Sequence, residues 1–391
     1  MCVKHRYLTI LLFVVIGTSS FFMSVKTSSA GSRRYLITDT NNHRVVEVDE
    51  NKNITWQCGT VAVSNDIWNH RVAGISGNKD NKLNFPLSAE RQKDGNTLVA
   101  EGDNQRVIEV NPRGRVVWIF QAKEAGGEFY PVRARRLENG NTLIADWAGH
   151  RVIEVNKKKR IVWQYGIPGR PGAGTNQLNF PRDAVRIQDG NTLIADAENE
   201  RVIEVETSGD IVWQFGITGI AWVGGEYLNN PVSAVRLGNG NTLVTDEENS
   251  RVVEVDRNKN IVWQYGGTKG NGVGQLNSPY SATKPTNGNV LISDHGNHRV
   301  IEVSSQGKIV WQYGDNYKPG VGPNQLLYPS DVQKASYPLN DPKVAKKLRA
   351  LPPLNDDRYS LGFLWIIGGW AAFCFAVVFG LYFFVGRRRG A

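Results

Sequence analysis

The sequence predicts an all-β, six-bladed β-propeller closed by strands from both ends, with a transmembrane helix after it. Three observations carry this expectation. A tryptophan-centred segment recurs six times, each recurrence holds four strand signals, and the first and last units are complementary fragments of one blade. The recurring tryptophans are Trp56, Trp118, Trp163, Trp213, Trp263 and Trp311. Their spacing is near-regular except for one long insertion between the first two.

The unit around Trp213 shows the four signals in order. Pro181 to Arg186 is a short apolar stretch after a proline. Gly190-Asn191 then turns the chain into the run TLIA, RVIEV follows, and Ser208-Gly209 leads into IVWQF. β-Branched residues separated by Gly/Asn turns are what antiparallel hairpins require. Four strands in each unit of roughly 40–50 residues is propeller patterning. No 3.6-residue period competes with it.

The first unit begins at Tyr35 with its second strand and has no first strand of its own. After the sixth tryptophan, Leu327 to Val332 reads as an orphan first strand. Placed beside residues 35–58 it completes a blade and removes an exposed sheet edge.

The repeat P-x-x-A-x-R-x-x-D-G-N-T-L-I-A-D-x-x-N-x-R-V-I-E-V resembles NHL-repeat propellers, and is also similar to the repeats of arylsulfotransferase-type and quinoprotein-like propellers. The resemblance covers residues 35–335. It implies the fold, while activity has to be argued from a site.

The two ends predict export and anchoring. Lys4 and Arg6 precede an apolar run, and Ser28-Ser29-Ala30 offers small residues for cleavage, so residues 1–30 read as a signal peptide or signal anchor. Residues 31–335 form the propeller, and the proline-containing, partly basic segment 336–360 reads as a stalk. Residues 361–386 carry no charge over Leu361 to Val385, enough to span a bilayer. Arg387, Arg388 and Arg389 place the tail 387–391 on the cytoplasmic side and the propeller outside it. Gly362, Gly368, Gly369 and Gly380 would permit helix association in the membrane. Of the formal charge of +9, the two ends hold +5, leaving +4 for residues 31–355. That mild value gives no reason to expect a nucleic-acid partner. Cys58 is the one cysteine of the exported part, so no disulfide framework is expected.

Charges recur with the repeat. An acid ends the second strand (Asp39, Glu101, Asp146, Asp196, Asp246, Asp294) and an arginine opens the third, from Arg44 to Arg299. A glutamate follows within that strand, from Glu47 to Glu302, and a base ends the first strand, from Arg91 to Lys334. Two acids and two bases per unit predict mutual pairing inside the scaffold, because unpaired buried charge is costly. The tryptophans are expected to wedge neighbouring blades.

Function is therefore sought where the units differ. Trp68, Trp147 and Trp222, with Tyr130, Tyr227 and Phe129, fall in the loops of one face and suggest a surface for a protein or carbohydrate partner. The alternative is that each aromatic packs under its own loop. Asp183 and Asp331 stand two residues after their prolines in opposed blades, and together suggest a calcium site. Arg133, in a blade next to Asp183, competes with that reading.

His43, His150 and His298 share one repeat position; His295 lies nearby and His70 lies in the insertion. The shared position points to turn packing. The sequence thus predicts a membrane-anchored extracytoplasmic binding or assembly module without a required cofactor. An enzyme of arylsulfotransferase or quinoprotein type, acting at the channel mouth, is the alternative.

Overall fold

A computed structural model describes residues 33–59, 82–315 and 318–335. The signal segment, the stalk, the apolar C-terminal segment with its basic tail, and the insertion holding Trp68 and His70 lie outside the described residues. Among the described residues no helix is long and apolar enough to cross a membrane.

Six four-stranded antiparallel sheets are arranged as the blades of a propeller. The blade built on Trp213 pairs Pro181–Arg186, Thr192–Asp196, Arg201–Val205 and Ile211–Phe215 in sequence order. The terminal blade is composite. Pro329–Lys334 pairs with Arg34–Asp39, in the register Ile37 to Val332, ahead of Arg44–Asp49 and Ile54–Cys58. The two ends therefore close the ring as the sequence predicts, and the innermost strand of this blade comes from the far end of the chain.

Apolar alternation puts one row of each sheet against the next. Leu193, Ala195, Val202 and Phe215 of the fourth blade meet Ala234, Val244 and Val253 of the fifth. The repeated charges stitch these interfaces. Arg91, Arg136, Arg186, Arg236 and Lys284 each reach back to the third-strand glutamate of the preceding blade, at 2.6–3.0 Å. Arg91, Arg136, Arg186 and Arg236 also stack on the tryptophan of that blade, with centroid distances of 4.2–5.3 Å. The indoles of Trp56, Trp213, Trp263 and Trp311 donate to a carbonyl of the following blade's outer hairpin.

The seam at the composite blade departs from this pattern. Its base, Lys334, is exposed, and the hydroxyl of buried Tyr35 donates instead to Glu302 at 2.6 Å. The Tyr35 ring stacks on Trp311 at 4.0 Å. Tyr35 thus supplies the hydrogen bond and the stacking, while Arg33 supplies the charge, 3.6 Å from Glu302.

The second set of charges ties loops to strands. Each second-strand acid accepts the Nε–H of the arginine opening the third strand, at 2.5–2.9 Å. Its other oxygen accepts a backbone N–H of the loop entering that blade, such as Asn179 on Asp196 or Leu327 on Asp39. These charges are scaffold. Cys58 is buried in its strand, where burial pushes the thiol up to about 12.

Candidate functional site

All first strands begin at one face, which also carries the links between blades and the turns from second to third strand. We call this the mouth. Both ends of the described propeller, Arg34 and Lys334, lie at the opposite face, where the first-to-second hairpins are.

Inside the channel, Arg133 lies between the two carboxylates suggested as a calcium site. Its Nη1 is 2.6 Å from Asp331 and its Nε 3.5 Å from Asp183. Asp183 also accepts Arg135 through both oxygens at 3.1 Å and the Ser233 hydroxyl at 3.0 Å. Burial alone would raise the Asp183 carboxyl, but Arg135 and Arg133 hold it below the usual range. Burial likewise works against the Arg133 charge, and Asp331 and Asp183 more than restore it. The position between the carboxylates is filled by a guanidinium. A cavity of about 60 Å³ beside it is lined by Arg133, Arg135, Glu90, Thr283, Asp331 and Gln333. Among the described residues no cluster of three or more His, Cys, Asp or Glu side chains is suited to a metal.

Above the channel the symmetry breaks. A bulge at the start of the fourth blade's first strand pairs Pro181 with Asp196 and Asp183 with Ala195, leaving residue 182 without a partner in the ladder. The same irregularity recurs in other blades. The residue after the proline is accordingly Leu87, Val132, Arg182, Val232, Tyr280 or Ser330. The residue after the second-strand acid varies as widely: Thr40, Gly102, Trp147, Ala197, Glu247 and His295. Sequence reasoning stopped one position further along, at Asp183, Asp331 and Arg133, and missed Arg182, Tyr280 and Glu247.

These residues form an arc of half-buried rings around Arg182. Tyr130 packs on Trp147 at 5.6 Å, and Trp147 on Phe180 at 4.3 Å. The Arg182 guanidinium lies 5.7 Å from the Trp147 ring and 5.6 Å from that of Tyr280. Tyr280 stacks on His295 at 5.0 Å, and His295 meets Tyr328 at 5.1 Å. Tyr130 is fixed at its far end by a hydrogen bond to Asp103 at 3.0 Å. Gly102 makes room for it, since a Cβ there would come within 2.4 Å of the ring.

Of the aromatics singled out from sequence, Trp147 and Tyr130 are brought together. Phe129 is not part of any exposed surface: it is buried, edge-on to Phe120 at 5.5 Å. Trp222 is 66% exposed on the link between the fourth and fifth blades, beside exposed Ile220 and Val223, and makes no ring contact with the arc. Tyr227, half-buried on the same link, offers its carbonyl to Arg251 at 2.7 Å.

The histidines of the shared position hold the loops. His43, His150 and His298 adopt left-handed backbone ahead of the third strand. Each accepts a backbone N–H through Nδ1, from Phe85, Phe180 and Tyr328 respectively. An accepting nitrogen is unprotonated, in keeping with the lowering that burial imposes on all three. His295 lies 3.1 Å through Nδ1 from the Pro329 carbonyl, and burial pushes it down to about 4.

Glu247 is the one acid of the mouth with a large displacement. Burial pushes its carboxyl up to about 7, with Arg182 opposing and Glu248 reinforcing the rise. It accepts the Asn230 amide at 2.8 Å.

No protein-family model matches the chain, and no curated protein matches it. Among solved structures, a protein of unknown function from Bacteroides caccae is similar over 78% of this chain and 98% of that one, at 20% identity and a TM-score of 0.55. Virginiamycin B lyase from Staphylococcus aureus covers 72% and 80% of the two chains, at 13% identity and a TM-score of 0.46. The WD40 β-propeller domain of Doa1 covers 71% and 86%, at 12% and 0.46. The likeness to the Bacteroides caccae protein supports the propeller fold and carries nothing about activity.

Proposed function

We propose that this chain is a membrane-anchored, extracytoplasmic binding module of the NHL-like kind, with the mouth as its working face. The observation that carries the reading is the distribution of variation. Beneath the mouth the charges and tryptophans repeat and satisfy one another. At the mouth the two variable positions bring Trp147, Arg182, Glu247, Tyr280 and His295 together. Repeat scaffolds place recognition on such a face.

The position of the chain ends supports the orientation. Arg34 and Lys334 lie opposite the mouth, so a stalk at 336–360 leading to a membrane segment at 361–386 leaves from the far face. The mouth then points away from the bilayer, with the arginine tail inside the cell. The histidines favour recognition over nucleophilic chemistry, because the Nδ1 atoms at the shared position accept backbone N–H groups.

The test is capture of the full-length protein from native membranes. Beside it run a Trp147→Ala/Tyr130→Ala double variant, a Trp222→Ala/Tyr227→Ala double variant, and Arg236→Lys as a scaffold control. Species that copurify with the parent and the control, and are lost from the first double variant, support the mouth. Loss only from the second moves recognition to the link bearing Trp222. If both double variants retain everything the parent holds, the reading fails.

A further inference from the structure

We propose that the mouth takes a planar organic carboxylate, the carboxylate on the free edge of Arg182 and the plane against the rings of Trp147 and Tyr280. The proposal rests on the reading of the mouth as a binding face and names the chemistry it recognises.

Arg182 is set apart by what it lacks. The strand arginines of this protein close on a carboxylate, whereas Arg182 forms no ion pair within 4 Å among the described residues. Its Nη1 donates to the Tyr280 hydroxyl. Its Nε is buried and carries no hydrogen bond, and among the described residues no acceptor meets Nη2. Nε and Nη2 form one edge of the guanidinium, and that edge presents two parallel N–H groups at the spacing of a carboxylate's oxygens.

A second orphaned donor lies on the same arc. The Trp147 Nε1–H is buried without an acceptor, as is that of the repeat tryptophan Trp118, whereas four of the six repeat tryptophans place theirs on carbonyls. Leaving buried donors unmet is costly, and more so on a charged group. Both are closed to solvent in the unliganded protein, so a ligand's acceptors reach them only with a shift of the Arg182 and Trp147 side chains.

The aromatic flanks select the remainder of the ligand. Both rings are partly exposed and lie at comparable distances from the guanidinium, so a flat ligand in the plane of the guanidinium can stack between or beside them. A phosphate or sulfate offers oxygens but no plane to fill that space. Glu247 feels the Arg182 charge without forming an ion pair with it, and when ionised it opposes an anion at this edge.

The experiment is equilibrium dialysis of the full-length protein in detergent against 2-naphthoate, 2-naphthamide and cyclohexanecarboxylate, with micelles alone as the blank. The expected result is naphthoate at least about tenfold tighter than the amide, in line with a charge-assisted bidentate contact, and tighter than the non-planar acid. Arg182→Gln should reduce the acid-over-amide ratio to below about twofold. Arg182→Lys should leave an intermediate ratio, retaining charge without the fork. Should either variant melt early, Tyr280→Phe supplies the same test. It frees Nη1, removes the restraint on the guanidinium, and should lower the ratio several-fold. Equal binding of acid and amide, a ratio that survives Arg182→Gln, a cyclohexane acid as tight as naphthoate, or no binding of any probe each overturns the proposal. The capture experiment decides the broader reading separately, since a mouth that holds a protein partner would still lose it in the Trp147/Tyr130 variant.

Discussion

Replacing Arg133 by methionine tests the electrostatics of the channel most directly. The side chain is almost fully buried and holds Asp331 at 2.6 Å and Asp183 at 3.5 Å. Methionine fills much of the volume and leaves the charges unpaired. The two carboxylates are not equally exposed to the loss. Asp183 keeps Arg135 at 3.1 Å and Ser233 at 3.0 Å. Asp331 is left with the Ala89 N–H at 3.3 Å.

Removing one partner of a buried pair costs about 3–5 kcal/mol. At about 2 °C per kcal/mol for a domain of this size, the melting midpoint should fall by about 6–10 °C at pH 8. The sign with pH follows from Asp183, which Arg135 and Arg133 hold below the usual carboxylate range against burial. A carboxyl held low stabilises the fold above its unfolded pKa and loses that contribution as pH falls, and the variant has already lost part of it. The deficit should therefore shrink as pH falls below about 4. With the guanidinium gone, millimolar calcium should recover part of the loss, and should leave the parent protein unchanged. A variant melting within about 1 °C of the parent at pH 8, or a parent stabilised by calcium, would refute the argument that Arg133 is the cation of this site.

Three other outcomes are expected. Tyr35→Phe should lower stability by about 1.5–3 kcal/mol in urea titration, the worth of a hydrogen bond to a charged group. The Glu302 carboxyl should rise with it, since the Tyr35 hydroxyl and the amides of Asn289 and Asn287 hold it low against burial; a loss below about 0.5 kcal/mol would show the seam does not need the hydroxyl. Deleting residues 326–335 should abolish cooperative melting of the whole domain, although it removes one strand of 24; a deletion that leaves five blades melting as before would show that ring closure is dispensable. Glu247 has a folded value of about 7 against 4.5 unfolded, so its contribution is present below pH 4.5 and lost as pH rises through 7, by at most about 3 kcal/mol. Arg182, Glu248 and Lys269 act on the same carboxyl, and Glu247→Gln should stabilise the protein at pH 8 while changing little at pH 4.5; a parent and variant with parallel pH profiles would remove Glu247 from the account.

The fold was legible because propeller blades are local in sequence. Strand alternation, Gly/Asn turns and one tryptophan lie within each unit, and the one strand pairing between distant segments among the described residues, Ile37 with Val332, was announced by complementary gaps at the ends. The charge pairs were legible for a related reason, since acids and bases recur at matched offsets. The mouth was less so. Regular alternation assigns residues two and four after the proline to the channel, and the bulge then turns the residue between them and the proline toward the mouth. Arg182 and Tyr280 sit at that bulged position, so a strict two-residue period passes over them. The signal was present in the variety of the column Leu87, Val132, Arg182, Val232, Tyr280 and Ser330, set against the uniformity of its neighbours. Trp222 shows the opposite failure: an aromatic conspicuous in sequence is 66% exposed and apart from the arc, its carbonyl bonded to Asn249 of the fifth blade.

The arrangement of charge explains why recognition collects at one face. Each blade boundary other than the seam uses a first-strand base against a third-strand glutamate, and each second-strand acid binds an arginine and a loop N–H. Among the described residues these pairs use up most of the strand charge; Arg182, at its bulge, and exposed Lys334 stand outside them. Asp183 and Asp331 are consumed by Arg133 and Arg135 in the same way. What remains is a shallow rim whose two variable positions are free of the repeat's pairing rules. Arg182 occupies one of them, held by Tyr280 through a single nitrogen and flanked by Trp147. A cation kept unpaired in such a place is unfavourable for folding alone, and that cost is the physical reason to look there for what the protein binds.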